Sequence, residues 1–224
     1  MNLRHEQKAV ITPNDVRVLR TRLSAIMKRD PHASPGGSYL IRSLYFENLS
    51  DKALREKLDG TDPREKFRIR YYDHDISYLI LEKKRKIRDL TEKTQQVLTI
   101  RETVALLKGD LPELLETEKP LLRELVSKMQ YEGLRPHTIV DYTREPFIYA
   151  PGNVRVTLDT RIRTGMLSTA FLDTDAVMIP AGDIPAILEV KWDAFLPEII
   201  RDAVRVPGTH MTSYSKYQAA RIYG

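Results

Sequence analysis

Charged side chains recur two residues apart at five places in the chain, at three of them interleaved with apolar residues. Phe67-Arg68-Ile69-Arg70-Tyr71 sets two arginines together, and Leu79-Ile80-Leu81-Glu82-Lys83-Lys84 pairs Glu82 with Lys84. Val154-Arg155-Val156-Thr157-Leu158-Asp159 places Arg155, Thr157 and Asp159 opposite three apolar residues. Leu188-Glu189-Val190-Lys191 repeats the habit, and Glu6 and Lys8 are spaced the same way. In an extended chain this period puts each set on one side of its sheet. A single such strand is ordinary, since a half-buried antiparallel strand turns a polar face to water. Five of them, filled mostly with Arg, Lys, Glu and Asp, predict an inverted barrel with a charged inside and an apolar outside under helices. A lumen of this kind is costly unless an anion and a cation fill it.

The chemistry suits phosphate chains. Guanidinium groups grip phosphoryl oxygens with two parallel hydrogen bonds, and lysine adds a compact charge. Carboxylates such as Glu6, Glu82 and Glu189 cannot face phosphate directly, but they make sense as ligands of Mg²⁺ or Mn²⁺ bridging to phosphate oxygens. The charge distribution agrees. The chain carries a net +5, and between Arg64 and Lys93 ten Lys or Arg face six Asp or Glu, so that segment alone supplies +4 of it. A basic concentration of this kind points to an anionic partner.

These faces need elements to carry them. Strands are expected over 3–12, 39–47, 65–72, 77–87, 91–98, 137–149, 153–163 and 185–193, with more strand material around 166–179. Turns are expected at Asp73-His74-Asp75 and near Arg88-Asp89. Val16, Leu19, Leu23, Ile26 and Met27 recur at helical spacing. A short helix over 50–59 would take Ser50 as its N-cap and Gly60 as its stop. Helical periodicity over 100–129 breaks at Gly109 and Pro120, and two helices near 196–204 and 212–222 end the chain. No repeat or composition shift marks a boundary, so residues 1–224 read as one α+β domain built on an antiparallel barrel.

With 42% hydrophobic and 30% charged residues, the 224-residue chain can bury a core under a polar surface. It has no cysteine, which excludes disulfides and Cys-based zinc sites. The first residues show no apolar signal segment, and no apolar run reaches bilayer length, so a cytoplasmic protein is expected. That leaves room for a membrane-anchored partner chain. The five histidines lack metal-type spacing, and no Walker-type glycine loop or persuasive Ser/His/Asp set is present. Trp192 reads as packing between barrel and helix rather than as a base-stacking platform.

The sequence resembles the catalytic domain of the vacuolar transporter chaperone (VTC) family, the polyphosphate-polymerase branch of the CYTH or triphosphate-tunnel-metalloenzyme superfamily. The likeness covers nearly the whole chain. Its anchors are Arg4-His5-Glu6-Gln7-Lys8, Ile41-Arg42-Ser43-Leu44-Tyr45-Phe46-Glu47-Asn48, Phe67 to Tyr71, Leu81-Glu82-Lys83-Lys84, Thr143-Arg144-Glu145, Val154 to Thr160, Ile187 to Lys191 and Ser215-Lys216-Tyr217. No single piece is specific; their order and spacing are. The resemblance implies a closed antiparallel eight-stranded β-barrel, the triphosphate tunnel, with helices packed outside. By position it implies that Lys8, Arg68, Arg70, Lys84, Arg144 and Arg155 line the tunnel, that Lys216 reaches in from the terminal helix, and that Lys93 matches a further basic position. Glu189 looks like the metal carboxylate, with Glu6 and Glu82 as lesser candidates. Where relatives often carry more basic residues, this chain has Thr94-Gln95-Gln96.

The leading functional expectation is a phosphotransferase that makes polyphosphate from ATP with Mn²⁺ or Mg²⁺. Arg68, Arg70, Lys84, Arg144 and Arg155 would stabilise the transferring phosphoryl group, since positioning and charge neutralisation carry such transfers. The rivals are a tripolyphosphatase or nucleoside triphosphatase of the same fold, a non-catalytic polyphosphate- or anion-binding module, and nucleic-acid binding through an outer basic face, which is not expected. The tunnel is common to polymerase and hydrolase, so the sequence does not separate them.

Overall fold

The computed structural model describes residues 4–88, 90–209 and 214–221. β1 (His5–Ile11) leads into α1 (Pro13–Ile26), whose start is fixed by a capping box. The Thr12 amide donates to the Asp15 carboxylate at 2.9 Å, and the Asp15 amide donates to the Thr12 hydroxyl at 3.2 Å. A two-residue β2 (Lys28–Arg29), β3 (Tyr39–Glu47) and a short α2 (Lys52–Leu58) follow. Next come β4 (Arg64–Tyr72), β5 (Asp75–Ile87), β6 (Leu90–Leu98), α3 (Ile100–Lys108) and α4 (Pro120–Tyr131). The chain then forms β7 (Arg135–Tyr149), β8 (Val154–Thr164), a two-residue β9 (Ile179–Pro180), β10 (Ala186–Trp192), α5 (Glu198–Ala203) and α6 (Lys216–Ala220).

Eight strands run in the order β1-β10-β8-β7-β3-β4-β5-β6, and every pairing is antiparallel. The two-residue β2 and β9 add to β7 and β8 beside this path, so the sheet has ten strands, the expected eight among them, and the expected closed barrel does not form. No ladder joins β1 to β6 among the described residues, so the sheet is strongly curled and open at that seam. The curl still brings β5 against β1, where Lys84 Nζ lies 3.2 Å from a Glu6 carboxylate oxygen.

Period-two alternation decides what each face meets. Outward-facing Phe67, Ile69, Tyr71, Leu79 and Leu81 form one core with Leu106, Leu122, Leu125 and Met129 of α3 and α4. Ala9, Ile11, Val156, Leu158, Leu188 and Val190 form a second core with Leu19 and Leu23 of α1 and Ile200 of α5. Each buried side chain of this size is worth about 1.5–3 kcal/mol of transfer free energy. The terminal helix departs from the expectation of helices outside only. Tyr217 and Ala220 of α6 pack on Ile41, Tyr45, Val140, Tyr142, Ile162 and Ile187, the apolar part of the inner face.

Several local expectations are corrected. Ser50 does not cap α2. The cap position is Asp51, at φ 53°, and the buried Glu47 carboxylate accepts from the amides of Ala53 and Leu54 at 3.0 Å each. Residues 166–178 form turns rather than strand. That segment is pinned to the outer face because Tyr71 donates to the Phe171 carbonyl at 3.0 Å and Arg42 donates to the Asp173 and Thr174 carbonyls. Asp73 and His74, at φ 47° and 62°, make the expected β4–β5 turn, whereas Asp89 in the next turn lies outside the described residues. Leu3 of the first expected strand and residues 212, 213 and 222 of the last expected helix are also outside them. Gly109, at φ 74°, ends α3 as expected. No described helix is long and apolar enough to cross a membrane.

Candidate functional site

The register explains why the charged residues meet. Tyr45 of β3 stands opposite Arg68 of β4, Arg68 opposite Glu82 of β5, and Glu82 opposite Gln95 of β6. Around the other side, Lys8 pairs with Glu189, Glu189 with Thr157, and Asp159 with Arg144. All these side chains belong to the strand faces opposite the two outer cores, so the curl gathers them in the lumen.

On the β4–β6 wall, one carboxylate collects three cations. Glu82 takes Arg68 at 2.7 Å, Arg70 at 2.6 Å and Lys93 at 2.6 Å, and Gln95 donates to it at 2.6 Å. Burial alone would raise the Glu82 carboxyl, but Arg68, Arg70 and Lys93 hold it down to about 2. Burial pushes Lys93 down to about 8 despite Glu82. Arg70 Nε is buried without a hydrogen-bond partner. Gln95, from the segment where basic residues were missed, helps to hold Glu82 rather than leaving a gap.

On the β1–β10–β8 wall, acids and bases alternate. Lys8 bridges Glu6 and Glu189, the latter at 3.3 Å, and Lys191 meets Glu189 at 2.9 Å. Arg144 grips Asp159 with two hydrogen bonds of 2.7 Å, and Lys216 reaches the same carboxylate at 2.6 Å. Arg144 also lies 3.9 Å from Glu189. Burial would raise Glu189, yet Lys191, Lys8, Arg144 and Lys216 hold it well below the usual carboxylate range. Tyr142 binds this wall together, with the Lys216 ammonium 4.6 Å and the Arg144 guanidinium 5.3 Å from its ring centroid.

Of the residues expected from sequence, Lys8, Arg68, Arg70, Lys84, Lys93, Arg144, Lys216, Glu6, Glu82 and Glu189 come together in these two connected sets. Arg155 stands apart on the same face, tied to Asp30 at 2.8 Å and to the Tyr39 hydroxyl at 2.9 Å. The sequence reading passed over Lys66, Tyr45, Tyr142 and Gln95. Lys66 and Tyr142 are two residues from Arg68 and Arg144, so the same period would have found them. Gln95 is visible only through its register with Glu82.

Metal-binding capacity differs among the three carboxylates. Glu82 does not fit, because four donors surround its two oxygens and three of them are cations. Glu189 also has three cations around it, but they stand further off, Lys191 at 2.9 Å, Lys8 at 3.3 Å and Arg144 at 3.9 Å, and its cross-strand neighbour Thr157 has a buried hydroxyl with no hydrogen-bond partner, so it fits better. Among the described residues no group of three His, Asp or Glu is arranged to hold a metal alone. That is compatible with Mg²⁺-type sites, which use one or two carboxylates together with substrate phosphates.

A family model described as the VTC domain matches residues 3–222. Among solved structures, a protein from Hippeastrum assigned as an adenylyl cyclase, for which a dominant triphosphatase activity is described, aligns with TM-score 0.57 at 14% identity. The alignment covers 98% of this chain and 95% of that one. A Bacillus halodurans protein, also assigned as an adenylate cyclase, aligns with TM-score 0.47 at 14% identity, over 91% of this chain and 87% of its own. At these identities the likeness concerns the fold alone. No curated protein matches the chain.

Proposed function

The chain belongs to the VTC domain family, and from that membership and the cationic lumen we propose that it binds the phosphate chain of a nucleoside triphosphate or polyphosphate and transfers the terminal phosphoryl group. The observation that carries this reading is the convergence of Arg68, Arg70 and Lys93 on Glu82, with Arg70 Nε left over. A buried donor without a partner costs about 1–3 kcal/mol, and phosphoryl oxygens are the acceptors that would remove this penalty.

In the transfer, the bond from the γ-phosphorus to the β–γ bridging oxygen breaks. A bond to an oxygen of the acceptor forms, and a nucleoside diphosphate leaves. Arg68, Arg70, Lys84 and Arg144, with Lys8 and Lys216, would hold the phosphate chain in line and neutralise its oxygens; Arg155 would act from the end of the face near Tyr39. Glu189, beside the Thr157 hydroxyl, would hold Mg²⁺ or Mn²⁺, which supplies charge neutralisation at the phosphate oxygens. A terminal phosphate of polyphosphate as acceptor makes the protein a polymerase. Water as acceptor makes it a triphosphatase, the second reading, which the activity described for the Hippeastrum neighbour supports.

Incubating the purified protein with ATP and Mn²⁺ decides between them. Long-chain polyphosphate supports synthesis, orthophosphate alone supports hydrolysis, and neither product with intact tripolyphosphate binding leaves a binding module. Glu189→Gln should keep the fold and lose metal-dependent turnover, because the near-isosteric amide lacks the negative charge a hard cation requires. Unchanged turnover across a Mn²⁺ titration would move the metal to Glu6.

A further inference from the structure

Lys66 lies on the inner face of β4, two residues before Arg68 and opposite Lys84 of β5. Its ammonium stands 5.4 Å from the ring centroid of Tyr45 on β3. The cations around it have carboxylate partners: Arg68 and Arg70 have Glu82, Lys84 has Glu6, and Lys8 has Glu6 and Glu189. Among the described residues no carboxylate lies within ion-pair distance of Lys66, and nearer the end of β5 the same holds for Lys86.

The surroundings of Lys66 are unfavourable to its charge on most sides. Burial, then the like charges of Lys84, Arg68 and Lys8, push its pKa down to about 8, with only Tyr45 opposing. Tyr45 cannot complete the neutralisation. Its hydroxyl already accepts from Arg68 at 3.1 Å, and its ring is covered by Tyr217 of α6 at 4.9 Å. Burial would raise Tyr45, whereas Arg68, Lys66 and Lys216 hold it down to about 8. A lysine in a desolvated, like-charged setting has one remaining route to a stable ammonium, which is an anion that arrives from outside.

We propose that Lys66 is a ligand-holding residue whose counter-charge is delivered by the phosphate chain itself, so that the tunnel takes up a proton at Lys66 as the chain binds. This rests on the phosphate-chain reading of the lumen and adds a residue and a proton linkage to it. The sign follows from the neighbours. Above about pH 8 the free protein carries Lys66 largely neutral, and an anion beside it restores the ammonium, so binding is coupled to proton uptake and weakens as pH rises. Well below that pH the ammonium is already present and Lys66 contributes no uptake. Lys93, also held near 8 but paired with Glu82, is the nearest competing source.

Calorimetric titration with metal-free tripolyphosphate, in two buffers of different ionisation enthalpy at about pH 8.5, tests the proposal. The ligand's own proton exchange is common to all variants, so the difference between proteins is the readout. Lys66→Met keeps the stem over Tyr45; it should weaken binding about tenfold or more and lower net proton uptake by roughly half a proton or more. Lys66→Arg keeps a charge that does not titrate; it should recover most of the affinity but not the uptake, and it carries the test if the Met variant folds poorly. Wild-type affinity and wild-type proton exchange in both variants would overturn the assignment and leave Lys93 or Tyr45 as the source. A wild-type protein that binds no tripolyphosphate would overturn the phosphate-chain reading, and this inference with it.

Discussion

Two arginine–aspartate pairs lie on opposite faces of the same curled sheet. Arg42 and Asp141 face outward, fully buried, with hydrogen bonds of 2.9 and 3.0 Å. Arg144 and Asp159 face inward, with two hydrogen bonds of 2.7 Å. The pairs are alike in geometry and differ in what surrounds them. Asp141 also takes Arg163 at 3.3 Å, and Arg42 spends its remaining donors on the carbonyls of Asp173 and Thr174, so the outer cluster is closed by the protein's own groups. Arg144 shares Asp159 with Lys216 and lies beside Glu189, inside a lumen where cations outnumber acids. A bidentate pair therefore does not mark a site by itself. Surplus charge of one sign around it does.

The comparison can be broken most strongly at Asp141. Asp141→Ala leaves the Arg42 guanidinium buried without its carboxylate, and removing one partner of a buried pair costs about 3–5 kcal/mol. Chemical denaturation should show that loss, while tripolyphosphate should still raise the Tm of whatever fraction folds, because a ligand that binds only the native state stabilises it. A loss below 1 kcal/mol, about the scale of an exposed pair, would show that the outer pair is not a structural clamp.

The inner face should respond the other way. Arg144→Met, Arg68→Ala and Arg70→Ala should each cost about 2–5 kcal/mol of triphosphate binding, read as Kd by calorimetry. Arg144→Met should cost less stability than Asp141→Ala, because Lys216 still neutralises Asp159. Loss of fold in step with loss of binding would make the inner pair structural too.

Acid should act on the inner face in a defined window. Glu82 is held to about 2 against an ordinary 4.5, so its folded-state pKa is depressed. The stabilisation, about 3 kcal/mol, is complete above about pH 4.5 and is lost as pH falls through 2. Glu82→Gln should flatten that part of the stability–pH curve, and an unchanged slope would place the acid sensitivity elsewhere.

The smallest effects belong to the basic residues outside the lumen. Arg85 and Arg88 are exposed, Arg85 on the face opposite Glu82 and Lys84, and Arg88 at a turn with φ 54°. Arg85→Ala and Arg88→Ala should change triphosphate binding by less than about 1 kcal/mol. Equal weakening by these and by Arg68→Ala, abolished by salt in every case, would indicate a polyanion bound along an outer basic surface.

The eight long strands and the inner set Lys8, Arg68, Arg70, Lys84, Arg144 and Glu189 were legible in the sequence because side-chain direction in a strand is local. Two residues always return to the same face, so Phe67, Ile69 and Tyr71 fix where Arg68 and Arg70 point. The Gly109 stop is likewise settled within a few residues, and so is the Thr12–Asp15 cap, which the sequence reading did not draw. Registry and curvature are not local. That β1 and β6 stop short of pairing, that α6 enters the curl instead of lying outside it, and that Glu47 rather than Ser50 caps α2 all depend on residues far apart in the chain. The same holds for charge balance. The sequence by itself determined which residues face inward. Only the tertiary structure decided that Glu82 is enclosed by Arg68, Arg70, Lys93 and Gln95, that Arg155 is tied to Asp30, and that Lys66 has no carboxylate within ion-pair distance among the described residues, because an ion pair is set by distances between strands that no spacing along one strand records.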